Sequence, residues 1–112
     1  MMFMISYVPA EDQENSMNRF NAAVKSNRFI SSRANHLSAN GTWIVESTNS
    51  AAALRNELKN FINADKGDRL FIARMTRNWA GTNMNGGNFP EWLKDKDFGT
   101  VDAVEQGPRK DQ

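Results

Sequence analysis

The run 68–79, DRLFIARMTRNW, places the tightest constraint on the fold. Leu70, Phe71, Ile72, Ala73 and Met75 follow one another without glycine or proline, which reads as a largely buried strand. Alternation puts Leu70, Ile72 and Arg74 on one face and Phe71, Ala73 and Met75 on the other. Both faces are therefore apolar, and each needs a cover, from this chain or from another. The strand starts from the turn signal Lys66-Gly67-Asp68 and delivers Arg74, Arg77, Asn78 and Trp79 near its end.

The rest of the chain supplies three more strands and two helices. MFMISYV, residues 2–8, reads as a first strand that Pro9 ends, since proline cannot donate to a ladder. Asn15 or Ser16 offers a helix cap, and Met17, Phe20, Ala23 and Val24 recur at helical spacing until Ser26 and Asn27. Phe29 and Ile30 plug one end of the core. Residues 32–39 and 42–47 flank Asn40-Gly41, the dipeptide expected of a two-residue type I′ turn. This turn would set Leu37 opposite Ile44, Ser38 opposite Trp43 and His36 opposite Val45. Thr48, Asn49 and Ser50 are caps for a second helix, whose apolar stripe is Ala51, Leu54, Leu58, Phe61 and Ile62.

After the run 68–79, residues 80–90 are rich in glycine and asparagine and read as a loop. Trp92 and Leu93 suit one short helical turn, and residues 100–104 a final strand before a frayed tail. The order β-α-β-β-α-β specifies an α+β fold, the ferredoxin-like split βαβ sandwich, with an extra C-terminal strand. A small α+β domain of other connectivity is the competitor. Residues 1–97 form the core and 98–112 the edge strand and tail. A chain of 112 residues suits such a single domain.

The residue inventory narrows the chemistry. There is no cysteine, which excludes disulfides, thiolate catalysis and zinc–thiolate sites and is compatible with the cytoplasm, where we expect the protein. The apolar start MMFMISYV is too short to span a bilayer and has no basic region before it, so no membrane partner is expected. His36, the single histidine, lacks an obvious carboxylate to orient it as a base. Asp65, Asp68, Asp95, Asp97 and Asp102 fall in no recognisable ligand loop, and Gly81, Gly86 and Gly87 do not make a phosphate-binding loop. We therefore assign no catalytic residue, no metal ligand and no cofactor.

Two binding readings are left. A formal charge of +1 gives no global attraction for nucleic acid, so such binding has to rest on a local patch. Arg69, Arg74 and Arg77 suit phosphate oxygens, while Asn78 and Trp79 complete the patch, the indole as a stacking surface. The other reading is protein association. Two helices cover one sheet face, which leaves Ile44, Leu70 and Ile72 on one side, or Phe3, Trp43, Val45 and Phe71 on the other, without a cover. A second copy would bury them and satisfy an open edge, with Ile44, Leu70, Ile72, Val101 and Val104 as interface candidates. The sequence reads first as a small, non-catalytic, homodimeric interaction module. The alternative is a nucleic-acid-binding protein or, as implied only by the family resemblance given next, a metal-dependent ribonuclease.

Four segments carry a family resemblance: MISYVP in the first strand, HL with GTWIVEST across the hairpin, DRLFIARMTRNWAGT, and the late WLKD. With these the chain resembles the small SinR-like proteins related to the CRISPR-associated Cas2 family. That resemblance implies a ferredoxin-like fold with an extra C-terminal strand, two-fold dimers, and a setting in defence against phage or mobile elements. Nuclease activity in the Cas2 branch goes with an acidic residue at the end of the first strand. The matching place here holds Tyr7, Val8 and Pro9, with Glu11 and Asp12 beyond the proline.

Overall fold

The computed structural model describes residues 1–35, 41–82 and 89–99. In chain order the elements are β1 (Met2–Val8), α1 (Gln13–Ser26), β2 (Ser32–Ala34), β3 (Thr42–Glu46), α2 (Ala51–Leu58), β4 (Arg69–Met75) and α3 (Phe89–Lys94). Two 3-10 turns, Lys59–Phe61 and Ala64–Lys66, lead from α2 into β4. The four strands form one antiparallel sheet in the order β2-β3-β1-β4. This is the ferredoxin-like split βαβ arrangement, with α1 and α2 on one face. The residues 100–104 expected as an extra strand lie outside the described residues.

β1 sits at the centre and sets both faces. Ile5 lies opposite Trp43 on one side and Ile72 on the other, and Tyr7 lies opposite Leu70. Phe3, Ile5, Tyr7, Trp43 and Val45 are buried with Phe20, Ala23 and Val24 of α1 and Leu54 and Leu58 of α2. The Tyr7 ring stacks on Phe20 with centroids 4.3 Å apart. Each large side chain so buried contributes roughly 1.5–3 kcal/mol before entropy. Met2 and Met4 alternate to the second face, where Met4 lies opposite Ile44 and Ala73.

That second face is not left to a partner, contrary to the expectation from two helices. α3 lies on it. Met2, Ala34, Ile44, Phe89, Leu93 and Phe98 form a second buried cluster, against which Met4, Met75, Trp79 and Trp92 pack. The grouping of faces across strands also changes. Ile44 shares a face with Met4, whereas Leu70 and Ile72 share the helix face with Phe3, Trp43 and Val45. Phe71 stands on the second face, opposite Ser6. Alternation within each strand is as the sequence implied, but the register between strands decides which parities meet.

The hairpin register differs by three residues from the expected one. Ala34, where Leu37 was expected, lies opposite Ile44, and Arg33, where His36 was expected, lies opposite Val45. Residues 36–40, with His36, Leu37, Ser38 and Asn40, lie outside the described residues. Gly41 has the positive φ (81°) that the sequence demanded, but its carbonyl accepts from Tyr7 N–H of β1 at 3.0 Å. β3 is thus located by its ladder with β1, from Met2–Glu46 to Ser6–Thr42, and among the described residues three of β2 join it.

The ends of the helices follow local chemistry, with three differences. α1 starts earlier than Asn15 or Ser16. Asp12 occupies its N-cap at φ 48°, without a side-chain cap, and Ser16 Oγ donates to Glu11 O. Ser50 caps α2 as expected, its Oγ accepting from Ala53 N–H at 3.1 Å. The 3-10 turn that follows winds tighter than an α-helix, so Phe61 leaves the stripe and is 39 % exposed. Phe89 and Pro90, read from sequence as loop, belong to α3. Pro90 stands in its first turn, where its missing N–H costs nothing.

Candidate interaction surface

An edge strand presents outward-pointing N–H and C=O groups with no ladder partner. Among the described residues β4 pairs with β1 alone, and no described strand lies on its outer edge. Phe71 on that strand is 62 % exposed, the largest exposure of any big apolar side chain among the described residues. Val8, opposite Arg69 on the same uncovered end of the second face, is 53 % exposed. On the helix face Leu70 and Ile72 are half-buried, and with Phe71 they line a groove of about 330 Å³ against Ala51, Ala52 and Arg55 of α2. The groove is apolar at its floor and carries one cation, Arg55, in its lining, while Arg69 stands on the other sheet face opposite Val8. Arg55 donates to Asn56 Oδ1 at 3.0 Å, Arg69 is exposed, and neither pairs with a carboxylate among the described residues.

The basic group read from the sequence is not brought together as one patch. Arg69 opens β4 and Arg77 lies beyond its other end, a separation of about 25 Å along an extended chain. Arg74 is half-buried on the helix face, and its Nη2 donates to Phe98 O at 2.8 Å. Arg77 lays its guanidinium 4.8 Å from the Phe98 ring centre and donates to Lys96 O at 2.9 Å. Both cations hold the segment after α3. Asn78 is exposed, and its N–H donates to Thr76 Oγ1. Trp79 is half-buried against the second cluster.

Of the interface candidates, Ile44 is buried inside this chain, 4 % exposed under α3, so it offers no surface to another copy. Leu70 and Ile72 line the groove. Val101 and Val104 lie outside the described residues.

A buried carboxylate near the end of β1 escaped the sequence. Asp68, 9 % exposed, accepts from Ala10 N–H through Oδ1 at 2.8 Å and from Tyr7 Oη and Asn63 N–H through Oδ2 at 2.7 and 2.8 Å. Burial by itself would raise this carboxyl. The hydrogen bonds from Ala10, Asn63 and Tyr7, with the charge of Arg19, outweigh it and hold Asp68 below the ordinary carboxylate value. Burial first, and then the hydrogen bond and negative charge of Asp68, push the Tyr7 hydroxyl up to about 12. Both carboxylate oxygens are committed to the protein, so Asp68 works as a staple between β1, the loop after it and the turn before β4. Its sequence signal was only a turn, because Tyr7 and Ala10 lie 61 and 58 residues away.

A second concavity, about 540 Å³ and open, lies between the end of β1 and α1, with Gln13, Asn18 and Asn21 around Met17. Asn21 Oδ1 accepts from Trp43 Nε1 at 3.0 Å. Among the described residues no group of three or more histidine, cysteine, aspartate or glutamate side chains could hold a metal ion. Nor, among them, is any helix long and apolar enough to cross a membrane.

Comparison with known proteins gives no relative: no family model, no curated protein and no solved structure matches the chain.

Proposed function

We propose that the protein is a small, non-catalytic interaction module of the cytoplasm that self-associates through the open edge of β4. The observation that carries this reading is Phe71, an aromatic side chain 62 % exposed on an edge strand beside an apolar groove. An unprotected edge of this kind is a template for another strand. Two copies meeting edge to edge about a two-fold axis would extend the sheet and bury Phe71 against its equivalent, an isologous contact. The resemblance to SinR-like proteins agrees with a dimer and suggests a setting in defence against phage or mobile elements. Nucleic-acid binding is the weaker reading, because Arg74 and Arg77 are already engaged with Phe98 and Lys96.

Light scattering across a concentration series tests the dimer. The expected mass is twice 12.6 kDa at high concentration, falling towards 12.6 kDa on dilution. Phe71→Asp should hold the chain at the monomer mass and change folding stability by no more than about 0.5 kcal/mol, as is usual for an exposed position. A monomer at every concentration, or a dimer indifferent to Phe71→Asp, would overturn the reading.

A further inference from the structure

The second cluster is rich in thioethers, and the register explains why. Met2 and Met4 lie two residues apart on β1 and point to the same face, and Met75 of β4 stands opposite Met2. Three of the six methionines therefore share this cluster or its margin, beside the indoles of Trp79 and Trp92. They differ in access. Met2 is 0 % exposed, whereas Met4 and Met75 are half-buried against the cluster. Met1 and Met17 are half-buried too but pack against the first cluster, and Met84 lies outside the described residues. Since the chain has no cysteine, its thioethers are the side chains most open to mild oxidants.

The cover over this cluster cannot stand without it. α3 has six residues, too few to hold a helix without tertiary contacts. Phe89 and Leu93 are its buried residues, Phe89 stacks on Trp92, and Lys96 Nζ stands 4.7 Å from the Trp92 ring centre. Beyond α3, Phe98 is buried in the same cluster, with Arg77 over its ring and Arg74 Nη2 donating to its carbonyl. No residue of 89–99 joins the first cluster, so the helix-face core does not depend on the cover.

We propose that Met4 and Met75 form an oxidation switch, at which a hydroperoxide converts each thioether to its sulfoxide and so frees α3 from the sheet. In each reaction the sulfur lone pair attacks a peroxide oxygen and the O–O bond breaks. Sulfur gives up two electrons, and hydrogen peroxide leaves its second oxygen as water. The S–O group is a strong acceptor set against Ile44, Phe89, Leu93 and Phe98, where an apolar methionine packed before. Each sulfoxide should lower the ratio of closed to open α3 roughly tenfold or more. Met2, shielded while the cover is closed, reacts only after it opens. A methionine sulfoxide reductase returns two electrons, releases the oxygen as water and closes the cover again. Opening adds Ile44 and Phe98 to the face on which Phe71 and Val8 are already exposed, whatever the state of association.

The test treats the full chain with dilute hydrogen peroxide and places each sulfoxide by tandem mass spectrometry. Met4 and Met75 should react first, with Met2 at least about tenfold slower until both are oxidised, as for any group that reacts through local opening. Tryptophan emission should move to the red as Trp79 and Trp92 become wet, while most of the far-UV circular dichroism is kept. Met4→Leu with Met75→Leu nearly conserves volume and should abolish both the red shift and the oxidation of Met2. Met17→Leu should change neither. Met4→Gln with Met75→Gln, polar stand-ins for the two sulfoxides, should give the red shift without oxidant, and sulfoxide reductase should reverse the effect of peroxide. Met2 oxidised as fast as Met4, two sulfoxides with no change in emission, a red shift that persists in the leucine pair, or loss of the whole far-UV signal would each overturn the switch.

Discussion

Replacing Gly41 by alanine would put a methyl carbon 2.5 Å from the Tyr7 carbonyl oxygen, with the Met17 sulfur at 3.1 Å. The methionine can swing away. The carbonyl cannot, because it belongs to the central strand, and Tyr7 N–H is itself bonded to Gly41 O. The residue also sits at φ 81°, which costs an L-residue roughly 1–2 kcal/mol. Forcing the two backbones apart adds roughly 1–3 kcal/mol, and the stiffer unfolded chain returns about 0.4–1 kcal/mol. The expected net loss is about 2–4 kcal/mol, or about 8–16 °C in melting temperature for a domain of this size. Gly67→Ala is the control. It shares a positive φ (100°), but its Cβ would meet only Ala10 Cβ at 3.5 Å, so it carries backbone strain without a collision. Urea unfolding followed by tryptophan fluorescence measures both. If Gly41→Ala costs no more than Gly67→Ala, the close approach of Gly41 to β1 is not what holds β3 in register.

The Tyr7–Asp68 staple should appear in the pH dependence of stability. Tyr7 keeps its proton to about 12 in the folded state against 10.0 when free, so stability should fall by about 3 kcal/mol between those values and level off above them. Asp68 is depressed on folding, so its contribution is complete above the free value of 3.8 and is lost as pH drops through the lower folded value. Denaturant midpoints at a series of pH values check both limbs, and a flat alkaline limb would refute the buried hydroxyl. Ser50→Ala removes the acceptor for Ala53 N–H at the start of α2 and should cost about 1 kcal/mol in the same assay, whereas Thr48→Ala, which is no cap here, should cost less.

Periodicity and terminators were sufficient for the elements. Pro9 after MFMISYV, the stripe Phe20, Ala23 and Val24, the cap Ser50 and the unbroken run Leu70 to Ala73 are each local signals, and in order they specify the split βαβ fold. The open groove was half legible. Leu70 and Ile72 were singled out and Phe71 was rightly set on the opposite face of its strand, but it was grouped there with Phe3, Trp43 and Val45, which the register puts on the helix face. Tertiary structure alone decided three further matters: that Ala34 meets Ile44, that α3 and Phe98 cover the second face, and that Arg74 and Arg77 strap the segment behind α3. It also decided that Asp68 ends as a buried acceptor for Tyr7. The physical reason is one of range. Alternation fixes which residues of a single strand share a face, but the phase between strands comes from pairings across tens of residues, and a slip of one residue inverts every face.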